Sequence, residues 1–136
     1  TILKEIIMEF TLKSIQEAHE KYTGPDFPML FKAFKDMGMV SNEVNIQHGT
    51  SVYTNTDGQT ITAEGVKVSH PIADTSHVEE VKDILTRHQA GQTDFPTFCE
   101  EMAQAGIYKW FIDINAGTCS YIDLNQQTIV SEQIPQ

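Results

Sequence analysis

The chain is poor in cysteine and in positive charge. Its 136 residues contain two cysteines, and nine lysines and arginines stand against 19 aspartates and glutamates, which gives a formal net charge of −10. Two cysteines are too few for a disulfide scaffold, and neither lies at a zinc-binding spacing. An acidic surface repels nucleic-acid phosphates and anionic lipids. We therefore expect no cofactor, no nucleic-acid partner and no membrane partner.

Long apolar runs are missing as well. No stretch approaches the roughly 20 apolar residues that a membrane-spanning helix needs, and Lys4, Glu5 and Glu9 interrupt any apolar core of a signal peptide. These absences predict a cytoplasmic protein. The eight glycines are scattered at turn positions, so no phosphate-binding glycine loop is expected. An apolar fraction of 40% nevertheless suffices for a buried core.

What the sequence does contain is an internal repeat. A shift of 68 positions aligns residues 26–62 with 94–130 without a gap and produces 11 identities, including Asp-Phe-Pro at 26–28 and 94–96. An ungapped repeat preserves the lengths of helices, strands and turns. We therefore predict one domain over 1–136 that consists of two pseudo-symmetric halves, about 10–63 and 76–132.

Each half begins with two predicted helices. Apolar residues recur at three and four positions in 11–22 and 76–90, which indicates helices with Thr11 and Ser76 as N-caps. Asp26 and Asp94 are expected to cap the second helices, whose buried faces would comprise positions 27, 30, 31 and 34 in the first half and 95, 98, 99 and 102 in the second. Gly38 and Gly106 follow these helices, where a helix C-terminus favours glycine.

Strands are predicted to follow the helices. Apolar and polar residues alternate at 110–115, as in a half-buried strand. Two-residue turns at 48–49 and 116–117 would close hairpins, so that Ile114 pairs with Cys119, and third strands are expected near 59–63 and 127–132. The pattern predicts an α+β fold in which an antiparallel sheet carries helices on one face. It leaves open whether the two hairpins join in one sheet.

The amino-acid sequence of the second half resembles a known group of proteins. The segments 88–99, 106–110 and 118–135, and more loosely 8–12 and 24–28, are similar to a small bacterial family of uncharacterised proteins. Some members of that family are labelled phage envelope protein-like. The resemblance implies a domain of unknown function without assigned catalytic residues. It also implies, as one alternative, a phage- or prophage-derived accessory protein.

The two cysteines allow three interpretations. Cys99 and Cys119 occupy positions that hold Phe31 and Ser51 in the first half. They could be buried reduced thiols, a reversible disulfide or the site of a reactive nucleophile. In the last case Cys99 would act with His88 as base and Asp94 as orienting group, in a hydrolase or a thiol-redox enzyme.

His88 and Asp94 also have structural interpretations. A histidine at a helix C-terminus is favoured by the helix dipole, and His19 ends the corresponding first-half helix. Asp94 is already explained as an N-cap. These roles weaken the catalytic hypothesis without removing it.

A binding function is the leading hypothesis. Gln89, Gln92 and Thr93 flank the second Asp-Phe-Pro motif and are absent from the first half, so with Trp110 they are the candidate ligand-binding residues. Phe111 and Ile122 are predicted to form an apolar patch on the sheet face opposite the helices, which would suit a homo-oligomer interface. We expect a small soluble module that binds a small molecule or a protein and has no catalytic activity.

Overall fold

The two halves of the chain repeat one order of helices and strands. The computed structural model describes residues 9–22 and 27–134. The first half contains α1 (Leu12–Lys21), α2 (Phe27–Asp36), β1 (Met39–Asn45), β2 (Thr50–Asn55) and β3 (Thr60–Glu64). The second half contains α3 (Val78–Gln89), α4 (Phe95–Gln104), β4 (Ile107–Asp113), β5 (Thr118–Asp123) and β6 (Thr128–Gln133). The predicted α+β fold is confirmed, whereas an origin by duplication stays a prediction.

A single sheet contains the strands of both halves. Its strand order is β3-β2-β1-β4-β5-β6, and every neighbouring pair is antiparallel. The halves meet where β1 pairs with β4, with Glu43 opposite Phe111 and Val44 opposite Trp110.

Helix side chains cover one face of this sheet. The Phe34 ring of α2 contacts Tyr53 of β2, and the Phe98 ring of α4 contacts Trp110 of β4. The strand register places Tyr53 and Trp110 on the same face. Phe111 lies on the opposite face, because successive strand residues alternate. Helices on one face of an antiparallel sheet are therefore confirmed.

Two of the predicted N-caps are present. The Thr11 hydroxyl accepts a hydrogen bond from the Ser14 amide at 3.0 Å, and the Asp94 carboxylate accepts one from the Thr97 amide at 2.8 Å. Each satisfies an amide that has no partner inside its helix. The predicted cap Asp26 lies outside the described residues.

The predicted start of α3 was wrong. The helix begins at Val78 rather than at residue 76, so that His77 and not Ser76 takes the cap position, without a side-chain hydrogen bond to the helix. Glu79 and Glu80 lie in its first turn, where carboxylates interact favourably with the helix dipole. These two carboxylates thus stabilise the start of α3, where the sequence suggested a side-chain cap by Ser76.

The hairpin turns are longer than predicted. Four residues, Ile114–Gly117, connect β4 to β5, so Cys119 lies opposite Ile112 and not Ile114. The Asp113 carboxylate accepts a hydrogen bond from the Ala116 amide at 2.9 Å and holds this wider turn. The register moves by two residues, so every side chain keeps the face that the sequence predicted.

The segment between the halves is fastened to α4. The Glu100 carboxylate accepts hydrogen bonds from the Ser69 amide at 2.8 Å and the His70 amide at 3.2 Å, and lies 2.6 Å from His70 Nδ1. Ile72 of the same segment is buried in the core. The connection is therefore an ordered part of the fold.

Candidate functional site

The C-terminal end of α3 brings His88 against the start of α4. The His88 ring is stacked on Phe98, with ring centres 4.2 Å apart and an interplanar angle of 17°. Its Nδ1 lies 3.0 Å from the Thr93 hydroxyl and 3.1 Å from the Thr93 carbonyl oxygen. This histidine thus fixes the loop between the two helices.

Four aromatic rings continue inward from this loop, and we call them the aromatic cluster: Phe95, Phe98, Trp110 and Tyr121. Phe95 meets Trp110 edge-on at 6.2 Å, and Trp110 lies 5.4 Å from Phe98 and 5.8 Å from Tyr121. Trp110 is only 5% exposed, whereas Phe95 is 43% exposed. The prediction that Phe95 belongs to the buried helix face was wrong, because it lies at the first helical position and points outward.

A polar chain lies beside the aromatic cluster. Gln89 donates a hydrogen bond to Glu132 at 3.2 Å, and Glu132 lies opposite Cys119 in the register of β5 and β6. The Tyr121 hydroxyl lies near both Glu132 and Cys119, and burial raises the Tyr121 pKa well above its usual value. The chain leads from an exposed glutamine to a buried thiol.

Sequence reasoning missed Glu132 and Tyr121 as members of the site. Period-two alternation in β5 places Tyr121 on the same face as Cys119, and that signal was available. Glu132 could not be assigned, because its register against β5 follows from the sheet. The hydroxyl of the first-half counterpart Tyr53 lies 3.3 Å from His19 Nε2 and near Ser51, the counterpart of Cys119. The repeat therefore indicated the proximity of Tyr121 to Cys119 but not the part of Glu132.

Neither cysteine has the environment of a nucleophile. Both are free thiols, and Cys99 is 0% and Cys119 7% exposed. Burial raises the pKa of each thiol to about 12. Because the thiolate is the reactive species, both groups stay protonated at neutral pH. This environment favours the interpretation as buried reduced thiols.

The other catalytic candidates have structural partners. Hydrogen bonds from Thr97, aided by the nearby His88, lower the pKa of Asp94, as expected of an N-cap carboxylate. His88 bonds Thr93, and its ring is stacked on Phe98. Catalysis by Cys99 with His88 remains a prediction for which the geometry offers no activated thiol.

The candidate ligand-binding residues are partly brought together. Gln89, Thr93 and Trp110 all belong to the polar chain, the loop or the aromatic cluster described above. Gln92 is exposed, and its backbone amide donates to the Arg87 carbonyl oxygen at 3.0 Å. It therefore helps to end α3, and its side chain is open to solvent beside the site.

Two other kinds of site were sought in the described residues. Over 9–22 and 27–134, no three histidine, cysteine, aspartate or glutamate side chains gather as a metal site would require. In the same part of the chain, no helix has the length and apolar character needed to cross a membrane.

Comparison with known proteins gives a family but no activity. A family model described as "Protein of unknown function (DUF1398)" matches residues 16–133. The chain belongs to this family. It is 28% identical over 104 residues to the uncharacterized protein Rv2012 of Mycobacterium tuberculosis, covering 75% of this chain and 63% of that protein. It is 22% identical over 78 residues to the uncharacterized protein YcgX of Escherichia coli, covering 57% of this chain and 58% of that protein.

The names of these relatives describe no function to transfer. The chain spans 63% of the length of its mycobacterial relatives and 58% of the Escherichia coli one. The predicted resemblance to a family of unknown function is confirmed. The function of this member has to be argued from its own site.

Proposed function

We propose that this DUF1398 member is a non-catalytic binding module whose binding surface is centred on Phe95. The carrying observation is that Phe95, 43% exposed, rests edge-on against the buried Trp110. The His88 ring lies 6.4 Å from the Phe95 ring, and His88 with its partner Thr93 provides polar groups beside it. An aromatic platform with a few polar groups is the usual composition of a small-molecule or peptide site.

The expected ligand is planar or aromatic. An exposed ring leaves apolar area in water, and covering it is favourable by about 25 cal/mol per Å². Because Phe95 is supported by the rest of the aromatic cluster, it is held in place before a ligand arrives, which lowers the entropic cost of binding. Aromatic pairs add about 0.5–1.5 kcal/mol beyond burial. A single-ring ligand would therefore bind weakly, and a peptide with an aromatic side chain more tightly.

The single tryptophan supplies the test. Trp110 lies directly beneath Phe95, so a ligand stacked on Phe95 should change Trp110 fluorescence. We would titrate p-cresol and an aromatic dipeptide, and follow the amide resonances of residues 88–98 by NMR. Saturable shifts there, lost in Phe95→Ala and kept in Phe111→Ala on the opposite sheet face, would support the proposal. Shifts that do not saturate, or that survive Phe95→Ala, would overturn it.

Homo-oligomer formation through the open sheet face is a further part of this proposal. Phe111 lies at the centre of that face, opposite Glu43, and Ile122 lies opposite Lys109 on the neighbouring strand. Apolar side chains there would be buried by a second copy. Light scattering after size-exclusion chromatography tests this. A monomer at all concentrations up to the millimolar range would exclude it.

Cytoplasmic location and a phage or prophage origin are likewise proposals. The second rests on the label carried by some family members. Fractionation of cells that express the native gene would test the location. A genomic position among phage genes would support the origin.

A further inference from the structure

A cavity lies in the first half of the molecule, between α1 and α2. It is a cleft of about 310 Å³. The buried residues Ala18 and Ala33 form its floor, and Tyr22, Met29 and Lys21 stand around it. A volume of this size lies at the small end of ligand sites in proteins. We call this cavity the α1–α2 cleft.

The second half fills the corresponding place with its own side chains. Under the shift of 68, Ala33 corresponds to Glu101. The Arg87 guanidinium reaches from α3 to Glu101 at 2.8 Å and to Asp83 at 3.0 Å. Where the second half has an arginine–carboxylate bridge between its helices, the first half has a methyl group and open space. The α1–α2 cleft is therefore a specific difference between two otherwise similar helix pairs.

The charges around the α1–α2 cleft leave one cation available. Lys32 pairs with Asp36 at 2.9 Å, and Glu17 lies 4.0 Å from Lys13. The Lys21 ammonium lies 5.3 Å from the centre of the Tyr22 ring. Within the part of the chain that the structure describes, it forms no ion pair with a carboxylate. Lys21 can thus receive an anionic group.

We propose that the α1–α2 cleft binds a small monocarboxylate with a compact apolar body. The carboxylate pairs with Lys21, and the apolar body lies on Ala18 and Ala33 between Tyr22 and Met29. The paired side chains Lys32 and Asp36 contribute no net charge. The other charged pair, Glu17 of the lining with Lys13, is also neutral, so the Lys21 ammonium is the group that neutralises the bound anion. This site is independent of the surface around Phe95, since it uses only residues of the first half.

Benzoate is a suitable probe, and benzamide is its neutral counterpart of the same shape. In NMR titrations of the full chain, benzoate should shift amides of residues 14–22 and 29–36 saturably. Benzamide should bind at least tenfold more weakly. Lys21→Gln should weaken benzoate binding to the benzamide level. Lys35→Gln removes an exposed lysine of α2 that does not line the cleft, and should leave benzoate affinity unchanged.

A second variant tests the cavity rather than the charge. Ala33→Leu would fill the floor of the α1–α2 cleft and should abolish binding of both probes, while Trp110 fluorescence in the other half reports intact folding. Were Ala33→Leu to unfold, Lys21→Gln would still decide the matter. The proposal is overturned if benzoate produces no saturable shifts in 14–36, if its shifts map to 88–98, or if the Lys35 and Lys21 variants behave alike.

Discussion

Gly106 ends α4 at a position where a side chain has no room. Its φ is +90°, and a Cβ there would lie 2.5 Å from the Thr75 carbonyl oxygen and 2.9 Å from the Ser76 Cα. Both are backbone atoms of the segment between the halves, so they cannot move aside as a flexible side chain would. Gly91 ends α3 in the same way, with φ +78°, but a Cβ there would meet nothing within 4 Å. The pair therefore separates backbone strain from collision.

The two alanine variants should differ in stability. A left-handed conformation costs a residue with a side chain about 1–2 kcal/mol, and replacing glycine restricts the unfolded chain, which offsets about 0.4–1 kcal/mol of that. We expect Gly91→Ala to lower the free energy of unfolding by roughly 1 kcal/mol. Gly106→Ala should lose a further 1–3 kcal/mol or so, as is typical of overpacking.

Urea unfolding followed by far-UV circular dichroism would measure both variants. For a chain of this size the difference corresponds to a Tm gap of roughly 4 °C per kcal/mol. If Gly106→Ala is destabilised no more than Gly91→Ala, the close approach of residues 75–76 to the end of α4 is refuted. An unchanged urea dependence (m-value) in both variants would show that the native compactness is preserved.

Three further predictions concern thiols, acid stability and a strained turn. Iodoacetamide at pH 7.5 should label neither Cys99 nor Cys119 until urea unfolds the protein, because both thiols are buried with a raised pKa. Rapid labelling of the native protein, detected by mass spectrometry, would support the enzyme hypothesis instead. Hydrogen bonds from Ser69 and His70 lower the Glu100 pKa to about 2, below the usual value of about 4.3, so this carboxylate stabilises the fold above pH 4.3 and loses that effect as the pH falls towards 2. In acid titrations, the loss of stability caused by Glu100→Gln should therefore become smaller over this range. A loss of stability that does not depend on pH would contradict this prediction. Gln126 has φ +65°, and its side-chain amide nitrogen lies 2.7 Å from the Tyr108 hydroxyl oxygen. Gln126→Gly alone should leave the free energy of unfolding nearly unchanged, because the relief of backbone strain offsets the lost hydrogen bond, but it should stabilise a Tyr108→Phe variant by about 1 kcal/mol. Equal effects in both backgrounds in urea titrations would argue against an energetic coupling of Gln126 and Tyr108.

Local sequence patterns predicted most of the elements and their faces. Period-two alternation correctly placed Cys119 and Trp110 on the helix-covered face, because alternation depends only on strand geometry. Helix periodicity identified the buried positions of α4 other than Phe95. Val78, an apolar residue at the first position of α3, is likewise 44% exposed. The end of a helix lies beyond the core, so apolar periodicity is least informative there.

The remaining features depend on side-chain bonds and on the assembled sheet. The turn after β1 is long because Asn45 accepts a hydrogen bond from the His48 amide at 2.9 Å, as Asp113 does in the second half. Asparagine or aspartate at the end of a strand was a usable signal for this. By contrast, the pairing of β1 with β4 joins residues far apart in the chain. No turn fixes that register, so the sequence could not give it.

The register of β1 and β4 is nevertheless compatible with a twofold relation between the halves. Glu43 and Phe111 are equivalent under the shift of 68, and they face each other. A twofold axis would pass between them. Trp110, the residue before Phe111, is equivalent to Asn42, and the two halves therefore have different residue types at this buried position. Trp110 packs in the aromatic cluster, whereas the buried side-chain oxygen of Asn42 has no hydrogen-bond partner among the described residues.

This difference bears on where function can lie. Both halves hold their hairpin turns with a side chain at the end of the first strand, Asn45 and Asp113, and the two halves meet in one central register. Among the described residues, three features occur in one half alone: the Gln89–Glu132 hydrogen bond, the Arg87–Glu101 bridge and the cleft over Ala33. An unpaired buried amide such as Asn42 costs about 1–3 kcal/mol. The second half carries a similar cost, because the buried Glu101 Oε1 atom also has no hydrogen-bond partner among the described residues. The open cleft over Ala33 is therefore the feature of the first half that most favours a binding role of its own.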